Sequence, residues 1–167
     1  MAYLLQFMLD ALLLLLPAAA ANATPVLVKS VPLFNTSIDG GFTLGGERLF
    51  GKNKTWRGLI LGILVAMLVA MLQHGDVGAY KLGFLLGTGA LLGDLTGSFI
   101  KRRFHFKPGQ SFVVLDQIDW VLGSLLFLQL QTKTSWFIMA LAIVLYGLLH
   151  PIFNLLGYYL KLKKNKF

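Results

Sequence analysis

The chain has 167 residues, of which 56% are hydrophobic and only 13% charged, with a mean hydropathy of +0.72. A soluble domain covers itself with roughly a quarter charged residues, so this composition excludes one and marks a membrane protein. Cysteine is absent, which excludes disulfides and thiolate chemistry. The net charge of +8 gathers in loops beside apolar blocks, a pattern of membrane orientation and phosphate binding rather than of a nucleic-acid surface.

No long polar stretch separates the apolar blocks. One membrane domain covering residues 1–167 is therefore expected, an all-α bundle of about five transmembrane helices at about 1–28, 58–72, 80–100, 118–130 and 136–160. The first span is interrupted by Asp10 and Pro17, and its Ala21-Asn22-Ala23 resembles the cleavage site of a removable signal peptide. Against removal, no Lys or Arg precedes the apolar run, and Asp10 lies inside it. The second and fourth spans are short: at about 1.5 Å rise per residue they barely cross ~30 Å of hydrocarbon. In the third, Gly83/Gly87 and Gly89/Gly93/Gly97 recur at the spacing that lets another helix approach closely, as do Gly58/Gly62 in the second. Trp120 and Trp136 are expected at membrane interfaces.

Five spans put Lys29, Arg48, Lys52, Lys54, Arg57, Lys101, Arg102, Arg103, Lys107, Lys161, Lys163, Lys164 and Lys166 on one side, against Lys81 and Lys133 on the other. By the positive-inside rule, thirteen against two sets the N-terminus outside and the C-terminus in the cytoplasm. Two long polar connections, about 29–57 and 101–115, then share the cytoplasmic face, and function is expected there.

Three carboxylates flank those connections. Asp94 lies seven residues before Lys101, about 10 Å down a helix. Asp116 and Asp119 are three apart, on one face of a helix start. Taken singly, each reads as a cap or a structural ion pair. Clustered with Lys101, Arg102 and Arg103, they read as a site for a divalent metal and phosphate, and hard oxygen ligands suit Mg²⁺. Asp94, Ser98 and Lys101 fall on one helical stripe, with Arg102 four after Ser98. A triphosphate there meets cations above and carboxylates below, which phosphoryl chemistry requires.

The first cytoplasmic connection adds Gly51-Lys52-Asn53-Lys54-Thr55-Trp56-Arg57-Gly58: compact cations, neutral hydrogen-bonding side chains and flanking glycines. Gly46–Asn53 falls one residue short of a P-loop, since Asn53 replaces its Ser or Thr and no strand leads in. A basic cluster that attracts anionic lipid explains Lys161–Lys166 well and the Asn-Lys-Thr grouping poorly. His150 and Asn154, four apart beside Pro151, read either as interhelical hydrogen bonding or as part of a lipid groove.

The run Gly93-Asp94-Leu95-Thr96-Gly97-Ser98-Phe99-Ile100-Lys101-Arg102, continuing through Pro108-Gly109-Gln110 to Asp116-Gln117-Ile118-Asp119, resembles the signature of the membrane CTP-transferase family. Lys52-Asn53-Lys54-Thr55-Trp56-Arg57-Gly58 resembles that family's upstream Lys-Thr-aromatic element. The wording of that element and the short chain resemble its archaeal branch, the CDP-archaeol synthases. The likeness covers about 45–123. Two departures stand out: Gln110-Ser111-Phe112 replaces the His-Gly-Gly run of phosphatidate-type relatives, and Arg103 stands where many relatives place Asp.

The resemblance implies that CTP and an isoprenoid ether-lipid phosphate, unsaturated archaetidic acid, give the CDP-activated lipid and pyrophosphate. It implies Mg²⁺ at Asp94, Asp116 and Asp119, catalytic work from these and Lys101, and phosphate binding by Lys52, Lys54, Ser98, Arg102 and Arg103. Asn53 and Thr55 become candidates for nucleotide recognition, and His150 and Asn154 for a lipid groove. Phosphatidate cytidylyltransferase, with an ester lipid, is the nearest rival. A small transporter or substrate-binding membrane subunit is the rival of another class. No internal repeat supports the latter, and the polar residues crowd one face instead of the midplane.

Overall fold

The computed structural model describes residues 2–107, 110 and 112–159. Its helices run in the order α1 (Ala2–Leu14), α2 (Leu16–Leu27), α3 (Trp56–His74), α4 (Tyr80–Arg103), α5 (Val113–Gln129) and α6 (Trp136–Tyr159). A 3₁₀ turn at Val77–Ala79 leads into α4, and two short strands, β1 (Thr43–Leu44) and β2 (Glu47–Arg48), lie between α2 and α3. The side chains of His150 and Asn154, the segment Pro108-Gly109, Ser111 and the basic C-terminal residues from Lys161 on lie outside the described residues.

The first apolar stretch is two helices meeting at 48°. Pro17 has no N–H, so the carbonyl of Leu13 loses its helical partner, and the chain bends there. Both carbonyls freed at the bend find donors on other helices. Gln73 Nε2 of α3 donates to Leu13 O at 2.9 Å, and Tyr146 Oη of α6 donates to Leu12 O at 2.6 Å. In hydrocarbon, where no water can take their place, such partners are what make a broken helix tolerable.

Helix α4 is central, packed against α2, α3 and α5, while α6 closes on α1 and α5. The glycine pattern acts as expected. A Cβ on Gly93 would stand 2.2 Å from the Asp119 carbonyl oxygen, and one on Gly123 2.2 Å from that of Gly89, so α4 and α5 touch backbone to backbone. Ala11, Leu15, Ala18, Leu86, Ala90, Val121, Leu125 and Ala142 fill the interior. The outer faces carry exposed Leu64, Leu68, Leu72, Leu126 and Leu148, the reverse of a soluble protein's surface.

Two stretches, Trp56–His74 and Val77–Arg103, are each long and apolar enough to cross a membrane, and the α1–α2 pair makes a third if taken as one span. Helix α3, expected short, has 19 residues because it starts and ends beyond 58–72; α5, with 17 residues, is short as expected, and the apolar part of α6 at Trp136–Leu149 is shorter than a full span.

Two expectations are corrected. A short strand does lead into Gly46–Asn53: Gly45 and Gly46, both at positive φ, close a two-residue hairpin that pairs Thr43 with Arg48 and Leu44 with Glu47. Trp120 is no interface marker. It is 3% exposed and meets Tyr146 edge-on, with ring centroids 5.2 Å apart, because it sits on the face of α5 that α6 covers. Trp136, at the start of α6, is exposed as expected.

Candidate active site

One end of the bundle collects the charged residues. Helix α4 brings Asp94, Ser98, Lys101 and Arg102 there. Its last turn is basic, which the negative end of the helix dipole favours. Helix α5 begins beside it and contributes Asp116 and Asp119. The segment before α3 reaches in from the other side. Its Thr55 caps the helix, accepting a hydrogen bond from Gly58 N at 3.3 Å.

The carboxylates have three different environments. Asp94 is paired with the Lys54 ammonium, 40 residues earlier in the chain. Asp116 is paired with Lys101 at 2.5 Å, and its other oxygen accepts from Phe112 N at 3.0 Å, which ties down the start of α5. Asp119 is buried: Oδ1 accepts from Trp120 N at 2.6 Å, while Oδ2 has no partner among the described residues. Asp94, Asp116 and the Lys54 ammonium all lie near enough to Asp119 to act on it electrostatically. The acids of two helices therefore converge on one locus.

The cations are equally distinct. Arg102 is 3% exposed, and its Nη2 donates to Lys107 O at 3.1 Å, whereas Nε and Nη1 have no partner among the described residues. A buried guanidinium with idle donors is costly unless an anion meets it. Ser98 is buried on the same stripe. Lys52 and Asn53 are exposed and Lys54 is half-buried. Arg103 does not face this locus. Its guanidinium donates to the carbonyls of Leu44 at 2.5 Å, Glu47 at 3.2 Å and Arg48 at 3.0 Å, and lies over the Phe99 ring at 5.2 Å. It braces the hairpin.

A small cleft, open to solvent, lies between the end of α2, the start of α3 and α4. Asn53, Lys54, Thr55 and Asp94 supply its polar wall, and Pro25, Leu59, Leu91 and Leu95 its apolar one. Polar groups at one end and apolar walls leading away suit a ligand with a charged head and a lipid tail.

Hard-oxygen donors and an orphaned buried carboxylate oxygen fit a divalent cation in kind. No group of three His, Asp or Glu residues stands in metal-holding geometry among the described residues, and Lys54 and Lys101 pair with Asp94 and Asp116 there. Nothing in the sequence pattern points to Asp39, and Arg48 counts there only as one of the cytoplasmic cations, although the Gly45-Gly46 pair between short extended runs is a legible hairpin signal.

Apolar outer faces around helices whose charged residues gather at one end mark an integral, all-helical membrane protein. A family model described as CarS-like, CDP-archaeol synthase, matches residues 4–167. The chain belongs to that family. It is 38% identical to a CDP-archaeol synthase of Pyrococcus furiosus over 163 residues, covering 93% of this chain and 95% of the relative. It is 36% identical to one of Archaeoglobus fulgidus, with 96% and 98% covered. A solved structure described as an intramembrane enzyme for archaeal membrane lipids biosynthesis superposes with a TM-score of 0.78 at 34% identity, over 89% of this chain and 94% of that one.

Proposed function

We propose that the protein transfers the cytidylyl group of CTP to an ether-lipid phosphate, unsaturated archaetidic acid, releasing pyrophosphate and a CDP-activated archaeal lipid. Full-length similarity to CDP-archaeol synthases supports the reaction class. The observation that carries the reading on this chain is the convergence of Asp94 and Asp116, with their partners Lys54 and Lys101, on the buried Asp119, beside a cleft that Asp94 and Lys54 share with apolar Pro25, Leu59, Leu91 and Leu95.

The lipid phosphate is the nucleophile. One of its oxygens forms a bond to the α-phosphorus of CTP while the bond from that phosphorus to the bridging oxygen of the β-phosphate breaks, and pyrophosphate leaves with the electron pair. No strong base is required, because the attacking phosphate is already ionised at neutral pH. The protein's work is positioning and charge neutralisation. Lys54 and Lys101 exchange their aspartate partners for phosphate oxygens, and Arg102 turns its idle N–H groups to the same anion. Lys52 and Ser98 add donors at the edge, and Asn53 and Thr55 line the approach of the nucleoside. Asp94 and Asp116, released from their lysines, would hold Mg²⁺ together with Asp119. When bound, it supplies neutralisation of the charge that develops on the leaving pyrophosphate. Arg103 supports the hairpin that overhangs the site.

Five membrane crossings, with α1 and α2 as one broken span and α5 as a short one, belong to the same reading, and the basic residues at this end of the bundle support a cytoplasmic site. His150 and Asn154, on α6, are assigned to a lipid groove by the family resemblance alone.

Purified protein in detergent, given each labelled nucleoside triphosphate with Mg²⁺ and either an ether-lipid or an ester-lipid phosphate, tests the reading. Pyrophosphate release that needs both CTP and the ether lipid is the expected result. Release with the ester lipid alone transfers the assignment to phosphatidate activation, and no release with any pair removes the enzyme.

A further inference from the structure

The polar connection between α2 and α3 contains a second carboxylate centre, one that the reaction above does not use. The Asp39 side chain is fully buried. Its two oxygens accept hydrogen bonds from the backbone N–H of Gly41 at 3.1 Å, Phe50 at 3.2 Å and Gly51 at 3.0 Å, from Arg48 Nε at 3.3 Å, and from Arg48 Nη2. Burial alone works against the charge, but the Arg48 and backbone donors outweigh it and hold the carboxyl well below the usual carboxylate range.

This knot lies at the root of the Lys-Asn-Lys-Thr segment. Gly51, whose N–H it holds, accepts from Lys54 N at 3.2 Å through its own carbonyl. Ile38, next to Asp39, donates its N–H to Lys54 O at 2.8 Å, and Ser37 bridges Thr55. The Asp39 side chain thus holds one end of residues 51–54 and the backbone of Ile38 the other, and Lys54 of that stretch reaches Asp94. From α4, Arg103 fastens the same hairpin on its other side.

We propose that Asp39 is a positioning residue for nucleotide binding: through the backbone of 51–54 it fixes where the Lys54 ammonium stands over Asp94, and so sets the affinity for the triphosphate. The inference rests on the cytidylyl-transfer reading above. A knot that only stabilised the loop would change melting and leave the folded population's kinetics alone. A positioning residue moves the nucleotide's KM and spares the lipid's.

The test is steady-state kinetics on the full-length protein in detergent, with CTP and ether-lipid phosphate varied separately, well below each variant's melting midpoint. Asp39→Asn is expected to raise the KM for CTP about tenfold, with kcat and the KM for lipid phosphate held within about threefold. Arg48→Gln, which removes two donors and leaves the backbone ones, is expected to raise it about threefold, and Arg48→Lys to return most of that loss. An unchanged KM for CTP in folded Asp39→Asn overturns the proposal. If that variant does not fold, the same result in folded Arg48→Gln overturns it. Failure of both to fold also counts against it, since the knot would then be structural alone. Wild-type protein that turns over no CTP overturns the functional reading instead, a separable outcome.

Discussion

The carboxylate of Asp119 on α5 occupies the space that a side chain at Gly97 on α4 would need. A Cβ at residue 97 would stand 2.0 Å from Asp119 Oδ2. The same oxygen is the one with no hydrogen-bond partner among the described residues. A glycine of the packing stripe thus shapes the chemical centre, and Gly97→Ala should act as an active-site variant. We expect its kcat to fall about a hundredfold, with helical circular dichroism retained. Near-normal turnover would mean that the Asp119 carboxylate has no fixed place in the reaction.

Lys101 is held at 2.5 Å by Asp116. If it exchanges that partner for a phosphate oxygen, Lys101→Ala should weaken CTP binding, and the loss should be smaller at high ionic strength, where the wild-type contact is itself screened. Equilibrium binding of labelled CTP at two salt concentrations measures this. An affinity equal to wild type at both removes Lys101 from the nucleotide site.

The bend between α1 and α2 rests on two side chains that take no part in chemistry. Tyr146→Phe leaves the Leu12 carbonyl without its donor, and Gln73→Leu does the same for Leu13. Each should cost about 0.5–1.5 kcal/mol, a lost hydrogen bond. The measured quantity is the thermal midpoint in detergent, and turnover at low temperature should follow wild type. A midpoint unchanged in both variants would show that the freed carbonyls find other partners.

Asp39 also sets an acid limit. Its carboxyl is held below the ordinary value near 3.8 in the folded protein. It therefore contributes stability that is complete above that ordinary value and drains as pH falls below it, toward the folded value. The melting midpoint of wild type should drop as pH is lowered through about 4, and Asp39→Asn should show a shallower drop. Equal slopes would mean that other carboxylates dominate acid unfolding.

Much of this arrangement was legible in the sequence, and the reasons are specific. The spacing of Gly89, Gly93 and Gly97 announced the α4–α5 contact, because a three-residue gap between small residues has one good use in a membrane. Asp94, Asp116 and Asp119 were legible because a carboxylate beside hydrocarbon needs a reason to be there. Which lysine serves which carboxylate was not legible. Lys54 and Asp94 are separated by 40 residues, and only the way the connection folds back brings them together. That path depends on Asp39, Arg48 and Arg103, polar side chains whose partners are mostly backbone groups and leave no periodic trace. Trp120 misled because a tryptophan near a span end has two comfortable places, the interface and the core, and neighbours on α6 decide between them.

The most direct test of the central claim, that carboxylates from α4 and α5 act together on a magnesium-bound triphosphate, is a Mg²⁺ titration of pyrophosphate release from CTP and ether-lipid phosphate by wild type and Asp119→Asn. The account predicts that wild type is silent after chelation and restored by Mg²⁺, while the folded variant stays silent at every Mg²⁺ concentration. Wild-type rates from Asp119→Asn with an unshifted Mg²⁺ dependence would contradict it.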